Sequence, residues 1–558
     1  MVKRVFQLVY QEVRGLHQAA YVLGAFAFGS QLLALIRDRL LAHQFGAGVN
    51  LDVYYAAFRI PDLLYVLFAS TLSVYVLIPF VASRIHGEDT REARSLLSQI
   101  FSGFLVVYIL FACIAWVLSP FVLPLLFPGL SAHMTELVSV MRILLLQPLF
   151  LGVSSLFGVV TQLNHRFILY AISPLIYNIG IISGILFLYP TFGLNGLALG
   201  VVIGAFFHMA IQIPLIRESS LSFFFTRTIS WRLLFQILTM SIPRALTLAM
   251  QQIALLVLVG IASLMATGSV AVFQFAYNLQ SVPLAIIGAS YSIAAFPFLA
   301  DLFAQKKMDI FRVHIITALR HIIFWSVPVI GLLIVLRAHV VRVVLGSGAF
   351  NWTDTRLTAA VLALLALSLF AQAINLLIVR AFYAGGHTRT PFFVTLVGSI
   401  FAVVATLFLY SAYMHHGQIA VMLNALMRMD AVPGSEVMVL GLGYSIAICI
   451  QTGVLLYLAV LQFQIPMGWF GPTISRAIIA TIVGSLATYA TLNIFVEGIN
   501  DSAFLGILIQ GGLGGFIGLL CVVGSYYVSG SPELREVYKS IHSKIFRSNV
   551  VAPQEDVL

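Results

Sequence analysis

Apolar runs of about twenty residues or more follow one another along nearly the whole chain, and that feature excludes most folds. In lipid every backbone N–H and C=O has to be satisfied internally, so only helices and closed barrels cross a bilayer. Barrel strands are about ten residues long and alternate in polarity; these runs are longer and do not alternate. The expectation is an all-α, polytopic membrane protein. Composition agrees: of 558 residues 61% are hydrophobic and 9% charged, too few charges to wet a soluble protein of this size. A net charge of +10 would point to nucleic acid in a soluble protein. Here a positive-inside bias explains it, and no nucleic-acid partner is expected.

The runs divide into fourteen expected spans: 17–43, 52–83, 98–126, 134–162, 167–188, 194–216, 233–263, 269–300, 312–337, 356–384, 390–411, 437–461, 473–494 and 503–528. With the N-terminus in the cytoplasm, twenty Lys and Arg fall near inside connections, among them Lys3, Arg4, Arg14, Arg84, Arg91, Arg94, Lys306, Lys307 and Arg535. The connections near 127–133, 189–193, 264–268 and 495–502 hold none. That asymmetry places both termini in the cytoplasm. The first sixteen residues lack an apolar core with a small-residue cleavage site, so no cleaved signal peptide is expected. Cys113, Cys449 and Cys521 lie in separate apolar runs and read as packing residues, with neither disulfide nor metal site.

Weak internal similarity divides the chain into halves. GVNLDVYYAAFRIPDLLYVLFAS (48–70) and GSVAVFQFAYNLQSVPLAIIGAS (268–290) both start at Gly, break at a proline and end in Ala-Ser. The expected organisation is a basic N-terminus (1–16), an N-lobe (17–220, spans 1–6), a C-lobe (221–461, spans 7–12), two further spans (462–528) and a cytoplasmic amphipathic tail (529–558). Paired halves with proline-broken helices are a transporter layout, with the site between them near the midplane. In the tail, Ser531 can cap and Pro532 suits the first turn of a helix. Leu534, Val537, Tyr538, Ile541 and Ile545 share one face, as in a helix lying on the membrane surface.

Charges inside the apolar runs carry the functional signal, since a charge at a span centre costs about 2.5–3.5 kcal/mol and normally faces a cavity or a partner. Asp52, Tyr55, Arg59 and Asp62 are spaced three, four and three apart, which on a helix is one narrow stripe. Pro61 interrupts the backbone ladder within it. On the preceding span Gln31 shares a face with Asp38, and Ser30 with Arg37; the short turn Gly46-Ala47-Gly48 makes the two helices neighbours. Arg39 and Asp52 are expected to sit at the outer interface and snorkel. Arg59, Arg142 and Arg244, deep in their spans, are the stronger candidates, and guanidinium groups suit phosphate. The counter-reading is an internal ion-pair network, because Asp38, Asp52 and Asp62 match Arg37, Arg39 and Arg59 in number.

The stretch LALIRDRLLAHQFGAGVNLDVYYAAFRIPDLL (33–64) resembles the signature of the lipid II flippase family (MurJ/MviN), within the multidrug, oligosaccharidyl-lipid and polysaccharide exporter superfamily. LNHRFILYAISPLIYNIGII (163–182), QSVPLAIIGASYSIAAFP (280–297) and RAFYAGGHTRTP (380–391) extend the resemblance over about residues 17–460. It implies export of undecaprenyl-diphosphate-linked peptidoglycan precursor to the outer leaflet by alternating access. It also implies a two-lobed fold with a central cationic cavity, a lipid-tail groove in the last two spans and a place in the bacterial inner membrane. By direct match only Arg37 keeps a family cavity arginine. Gln31, Tyr65 and Asn278 stand where others are usual, and Arg59 and Arg244 are expected to compensate. Spans 390–411 and 437–461 lack the Asp and Asn through which some members bind sodium. The segment 412–435 looks like a longer outside loop than is usual, and its His415-His416 pair suggests no metal.

The expected binding set is therefore Arg37, Arg59, Arg244, Asp38, Gln31, Tyr65, Asn278, Tyr55 and Asp62, with Gly48, Pro61 and Pro283 as hinges. No catalytic residue, cofactor or ATP site is expected, since neither catalytic spacing nor a P-loop pattern is present. The expected partners are a lipid-linked cell-wall precursor, membrane lipids and cell-wall synthesis proteins, around a monomer. Rival readings are an exporter of another polyprenyl-linked glycan or of drugs, and a non-transporting membrane scaffold.

Overall fold

Helices form where the apolar runs lie and stop where the sequence supplies turn residues. In this computed structural model the described residues are 16–69, 74–85, 89–430, 432–495 and 504–545, and they contain no β-strand. Helix α1 (Leu16–Phe45) ends at Gly46, whose φ of +59° only glycine adopts without cost. Gly48 then caps α2 (Val49–Ala57) in an extended conformation, φ −128° and ψ 177°. The helix breaks at Phe58 and resumes as α3 (Arg59–Ala69). Pro61, in the first turn of α3, has no N–H to give the Ala57 carbonyl, and that is the local cause of the break.

After these come α4 (Val74–Ala82), α5 (Arg91–Leu126), α6 (Met134–Leu144), α7 (Leu146–Leu163), α8 (Phe167–Ser183) and α9 (Leu194–Ala210). The second half opens with α10 (Trp231–Ser263), α11 (Ser269–Leu284), α12 (Ser290–Ala304) and α13 (Met308–Leu345). It continues through α14 (Trp352–Ala366), α15 (Leu369–Ala384), α16 (Arg389–His415), α17 (Gly417–Met427) and α18 (Met438–Phe463). The chain closes with α19 (Phe470–Ala490), α20 (Phe504–Val528) and α21 (Pro532–Ile545). Among the described residues eleven helical runs are long and apolar enough to cross a membrane, twelve if α14 and α15 count as one. The sequence led to fourteen. The two outside the count are the first, which carries Arg37, Asp38 and Arg39, and the second, which is divided at Phe58.

Packing divides the chain into two compact units. The first comprises residues up to Val282 with Val344–Leu365 and His387–Gln451. Within it α8 and α9 touch backbone to backbone: a Cβ on Gly180 would stand 2.2 Å from the Gly204 Cα. Small residues at such a crossing are how helices associate where lipid offers no hydrophobic driving force. The α1 helix lies along α8, and α10 along α3 and α16. Tyr108, Phe127, Phe273 and Phe275 fill the interior, while Phe121 (75% exposed) and Leu125 (81%) face outward, as membrane-spanning surfaces require.

The second unit comprises Pro283–Val343, Ala366–Gly386 and the chain from Thr452. Phe463 packs between Phe311 and Phe382, at ring distances of 5.2 and 5.3 Å. The chain passes from one unit to the other at Val282–Pro283, and Pro283 is followed by a π-helical turn, Ala285–Ala289. Such turns disturb the regular ladder and mark places that bend.

Two expectations need correction. Residues 412–435 are not a loop: α16 runs on to His415 and α17 occupies most of the remainder. The apolar sequence Ile419–Met427 accounts for this, since nothing in it stops a helix. The tail helix forms as expected, with Leu534 N–H 3.5 Å from Ser531 Oγ. Its anchorage, however, is polar: Glu533 pairs with Arg320 and Glu536 with His321, each at 2.8 Å, while Tyr538 on the expected buried face is 66% exposed.

Candidate functional site

A continuous hydrogen-bonded chain of polar side chains runs through the first unit, in helices that are otherwise apolar. Arg37 on α1 directs Nε and Nη2 to Asp38 Oδ1, at 2.9 and 2.8 Å. Its Nη1 reaches Asn178 Oδ1 on α8 at 3.4 Å, and Asn178 Nδ2 donates to Ser30 Oγ at 3.2 Å. From the other oxygen of Asp38 the chain continues into α11. Asn278 Nδ2 donates to Asp38 Oδ2 at 2.9 Å, and Gln274 Nε2 donates to Asn278 Oδ1 at 2.7 Å. Arg59 Nη2 on α3 donates to Gln274 Oε1 and completes it. Buried polar groups in such surroundings are stabilising only when paired, and here each amide uses both ends.

Three members of the expected set lie on the chain's flank. Tyr55 is buried one helical turn before Arg59 with its ring against Phe275, and its hydroxyl has no protein partner among the described residues. Arg59 Nε is likewise buried without one. Asp62, half-buried, lies within electrostatic reach of Arg59. Tyr65 is further off and its hydroxyl meets Ser155 on α7. Gln31 is half-buried and enters no hydrogen bond of this chain, and Arg244 is half-buried on α10. Asn178 and Gln274 were missed by sequence reasoning, and Ser30, placed on the face of Arg37, was left out of the binding set. The available signal was the cost of an Asn or Gln in an apolar helix, and Asn178 is four residues after Pro174, whose carbonyl it also caps at 3.1 Å.

The expectation that Asp52 snorkels at the interface does not hold. Asp52 is 3% exposed, and its two oxygens accept from Gly268 N–H at 2.6 Å and Ala271 N–H at 2.9 Å. These are N–H groups at the start of α11 that no helical carbonyl can satisfy, and the helix dipole favours an anion there. Arg39 donates to the Val344 carbonyl at 3.4 Å. Asp354 at the start of α14 accepts from Ala47 N–H at 3.3 Å, and His43 O accepts from Ala349 N–H at 2.9 Å. The turns at 46–48, 264–268 and 346–350 are thus latched together at one end of this unit. Among the described residues no cluster of His, Cys, Asp and Glu could hold a metal ion.

The family model described as "Lipid II flippase MurJ" matches residues 41–509. The chain belongs to the MurJ lipid II flippase family. A relative described as "Probable lipid II flippase MurJ", from Buchnera aphidicola subsp. Schizaphis graminum, is 24% identical over 400 residues, covering 71% of this chain and 78% of its own. Among solved structures, a lipid II flippase MurJ in an inward closed conformation aligns with a TM-score of 0.70 at 22% identity, covering 93% of this chain and all of that one. An inward-facing multidrug transporter of the MATE family aligns at 0.61 and 13%, over 78% of this chain and 94% of its own. Both likenesses concern the fold. Within this MurJ fold, Asn278 bridges Asp38 to Gln274 where the family resemblance led to an arginine. Arg37 faces a carboxylate it already holds, and two arginines stand beside two aspartates, Asp38 and Asp62.

Proposed function

We propose that this protein is a flippase that moves lipid II, an undecaprenyl-diphosphate-linked peptidoglycan precursor, between leaflets by alternating access. Membership of the family over residues 41–509 carries the reading. The polar chain supplies the means: a phosphate group competes with Asp38 for Arg37, because guanidinium binds phosphate bidentately as it does carboxylate. Arg37 is 21% exposed, so a ligand can reach it, whereas Asp38 is 5% exposed. Drawing Arg37 from Asp38 loosens the Asp38–Asn278–Gln274–Arg59 series. Tyr55 Oη and Arg59 Nε, without a partner among the described residues, offer further donors.

In this reading the protein spans the inner membrane as a monomer with both termini in the cytoplasm, so the latched turns 46–48, 264–268 and 346–350 face outward. Hydrogen bonds among these turns hold that end closed. Transfer of an anionic headgroup outward is favoured by an inside-negative potential, by about 2.3 kcal/mol per charge per 100 mV. Residues 17–220 and 221–461 act as the two lobes, with Pro61 and Pro283 as bending points and the spans of 462–528 receiving the lipid tail. Arg244 lends positive charge from α10.

The test is rescue of cells depleted of their own flippase, read as lipid II accessible at the outer leaflet. The wild-type chain restores accessibility and growth. Arg37→Ala does not, and Arg37→Lys does so partly because an ammonium lacks the planar fork. Full rescue by Arg37→Ala would remove the phosphate-holding role. A second reading is export of a different polyprenyl-linked glycan, favoured by the near balance of Arg37 and Arg59 with Asp38 and Asp62 in place of a cationic ring. Rescue of a glycan-export mutant without rescue of flippase depletion selects it.

A further inference from the structure

Arg142 on α6 and Trp116 on α5 form a small site remote from the chain around Arg37. Pro120 has no N–H, so the Trp116 carbonyl four residues earlier lacks its helical donor. Two side chains replace it: Ser119 Oγ donates at 2.7 Å and Arg142 Nε at 3.2 Å. Arg142 Nε also meets Ser119 Oγ at 3.1 Å, and the guanidinium carbon lies 4.0 Å from the Trp116 ring centroid. These contacts occupy Nε and one face of the guanidinium. The two terminal nitrogens have no acceptor among the described residues. The carboxylate nearest in sequence on α6, Glu136, is paired with His133 at 3.3 Å.

The surroundings face lipid. Trp116 is 50% exposed, and Val117, Phe121 and Leu146 are exposed beside it. Arg142 is eight residues into α6, about 12 Å below the helix start at 1.5 Å per residue. A guanidinium at that depth on a lipid-facing surface needs either water or a counter-charge that comes to it. Its free edge offers two parallel N–H donors, the geometry that matches two oxygens of one phosphate. The indole is the residue type that sits at headgroup level.

We infer that Arg142, Trp116 and Ser119 form a lateral site for the phosphate of an anionic bilayer phospholipid, in the leaflet that holds the α5–α6 turn. The lipid phosphate is drawn in as the arginine reaches outward, and it ties α5 to α6 at the proline break. This site is independent of the flippase reading and of the ligand held at Arg37.

The test uses the full chain in detergent, titrated with phosphatidylglycerol or phosphatidylcholine of the same acyl chains and read by native mass spectrometry. Arg142→Gln keeps an N–H for the Trp116 carbonyl and loses the charge; Arg142→Lys keeps the charge and loses the fork. The expected result is that Arg142→Gln retains phosphatidylglycerol about fivefold less than wild type, with Arg142→Lys between them and phosphatidylcholine unchanged in all three. Equal phosphatidylglycerol retention by wild type and Arg142→Gln overturns the proposal. So does a parallel loss of phosphatidylcholine, which would mark damaged packing, and so does displacement of the lipid by inorganic phosphate, which would mark a free-anion site. Should Arg142→Gln fail to fold, equal retention by Arg142→Lys and wild type overturns it as well.

Discussion

The Asp52 carboxylate and the Gly268 amide are 216 positions apart in the chain and 2.6 Å apart in space. With the second bond from Ala271, one side chain of the first half caps a helix of the second half. In the proposed alternating access this latch releases when its end of the unit opens. A hydrogen bond to a charged group contributes about 1.5–3 kcal/mol, so Asp52→Asn shifts the latch toward release by about tenfold or more. The readout is labelling of Ala47→Cys by a membrane-impermeant maleimide, in a chain with Cys113, Cys449 and Cys521 replaced. Faster labelling in the Asp52→Asn background is expected; an unchanged rate would mean the bond does not hold this end shut.

Asn278 is the middle of the polar chain, so its removal is felt on both sides. Asn278→Ala leaves Asp38 Oδ2 and Gln274 Nε2 without their partner, at about 1–3 kcal/mol. A double-mutant cycle with Asp38→Ala, measured by unfolding in detergent, is expected to give a coupling of about 1 kcal/mol. Strict additivity would break the proposed series. Asn278→Arg has the opposite use: a guanidinium there takes Asp38 from Arg37 and leaves Arg37 free, so tighter lipid II binding is expected.

The legible part of this fold was what periodicity and apolarity control. Run lengths gave α1, α5, α8 and α16 within a few residues at most ends, and Ser531-Pro532 marked the start of α21. Partners across the chain were not legible. Nothing local to Asp52 announces that the start of α11 will come to it, and the stripe Asp52–Tyr55–Arg59–Asp62 is interrupted because Pro61 breaks the helix at Phe58. Asn278 could be read as a missing arginine, but not as the bridge between Asp38 and Gln274. The same limit hid Gln274 and Asn178, whose roles exist only once α11 and α8 lie beside α1.

The anchorage of α21 makes a pH prediction. Burial pushes the Glu533 carboxyl up, but hydrogen bonds from Ser531, its own backbone N–H and Arg320, with the Arg320 charge, outweigh this and hold it below the usual range. A carboxyl depressed in the folded state adds stability above its unfolded value, near 4.3, and loses it as pH falls through the folded value. Docking of α21 is therefore expected to persist from neutral pH down to about 4 and to fail only below that. Glu533→Gln is expected to release it at neutral pH. Cleavage after Arg535 and Lys539 by trypsin reports release at neutral pH, and an acid-stable protease does so at low pH. Release of the wild-type helix already at pH 6 would show that another group controls it.

Gly46 and Gly48 flank the same turn, yet they are not equivalent. Gly46 has φ +59°, and a Cβ there would stand 2.7 Å from the Ala349 carbonyl oxygen, at the contact between the 46–48 and 346–350 turns. Gly48 has φ −128°, open to any residue, and its Cβ would lie 3.3 Å from the Phe45 carbonyl oxygen, a contact that a small shift relieves. A left-handed backbone costs an L-residue about 1–2 kcal/mol before the clash is counted. Gly46→Ala is thus expected to lower the unfolding temperature in detergent by a few degrees and to speed labelling at Ala47→Cys. Gly48→Ala is expected to change both much less. If the two variants lost stability equally, neither the left-handed conformation at Gly46 nor its approach to Ala349 could be what closes this turn.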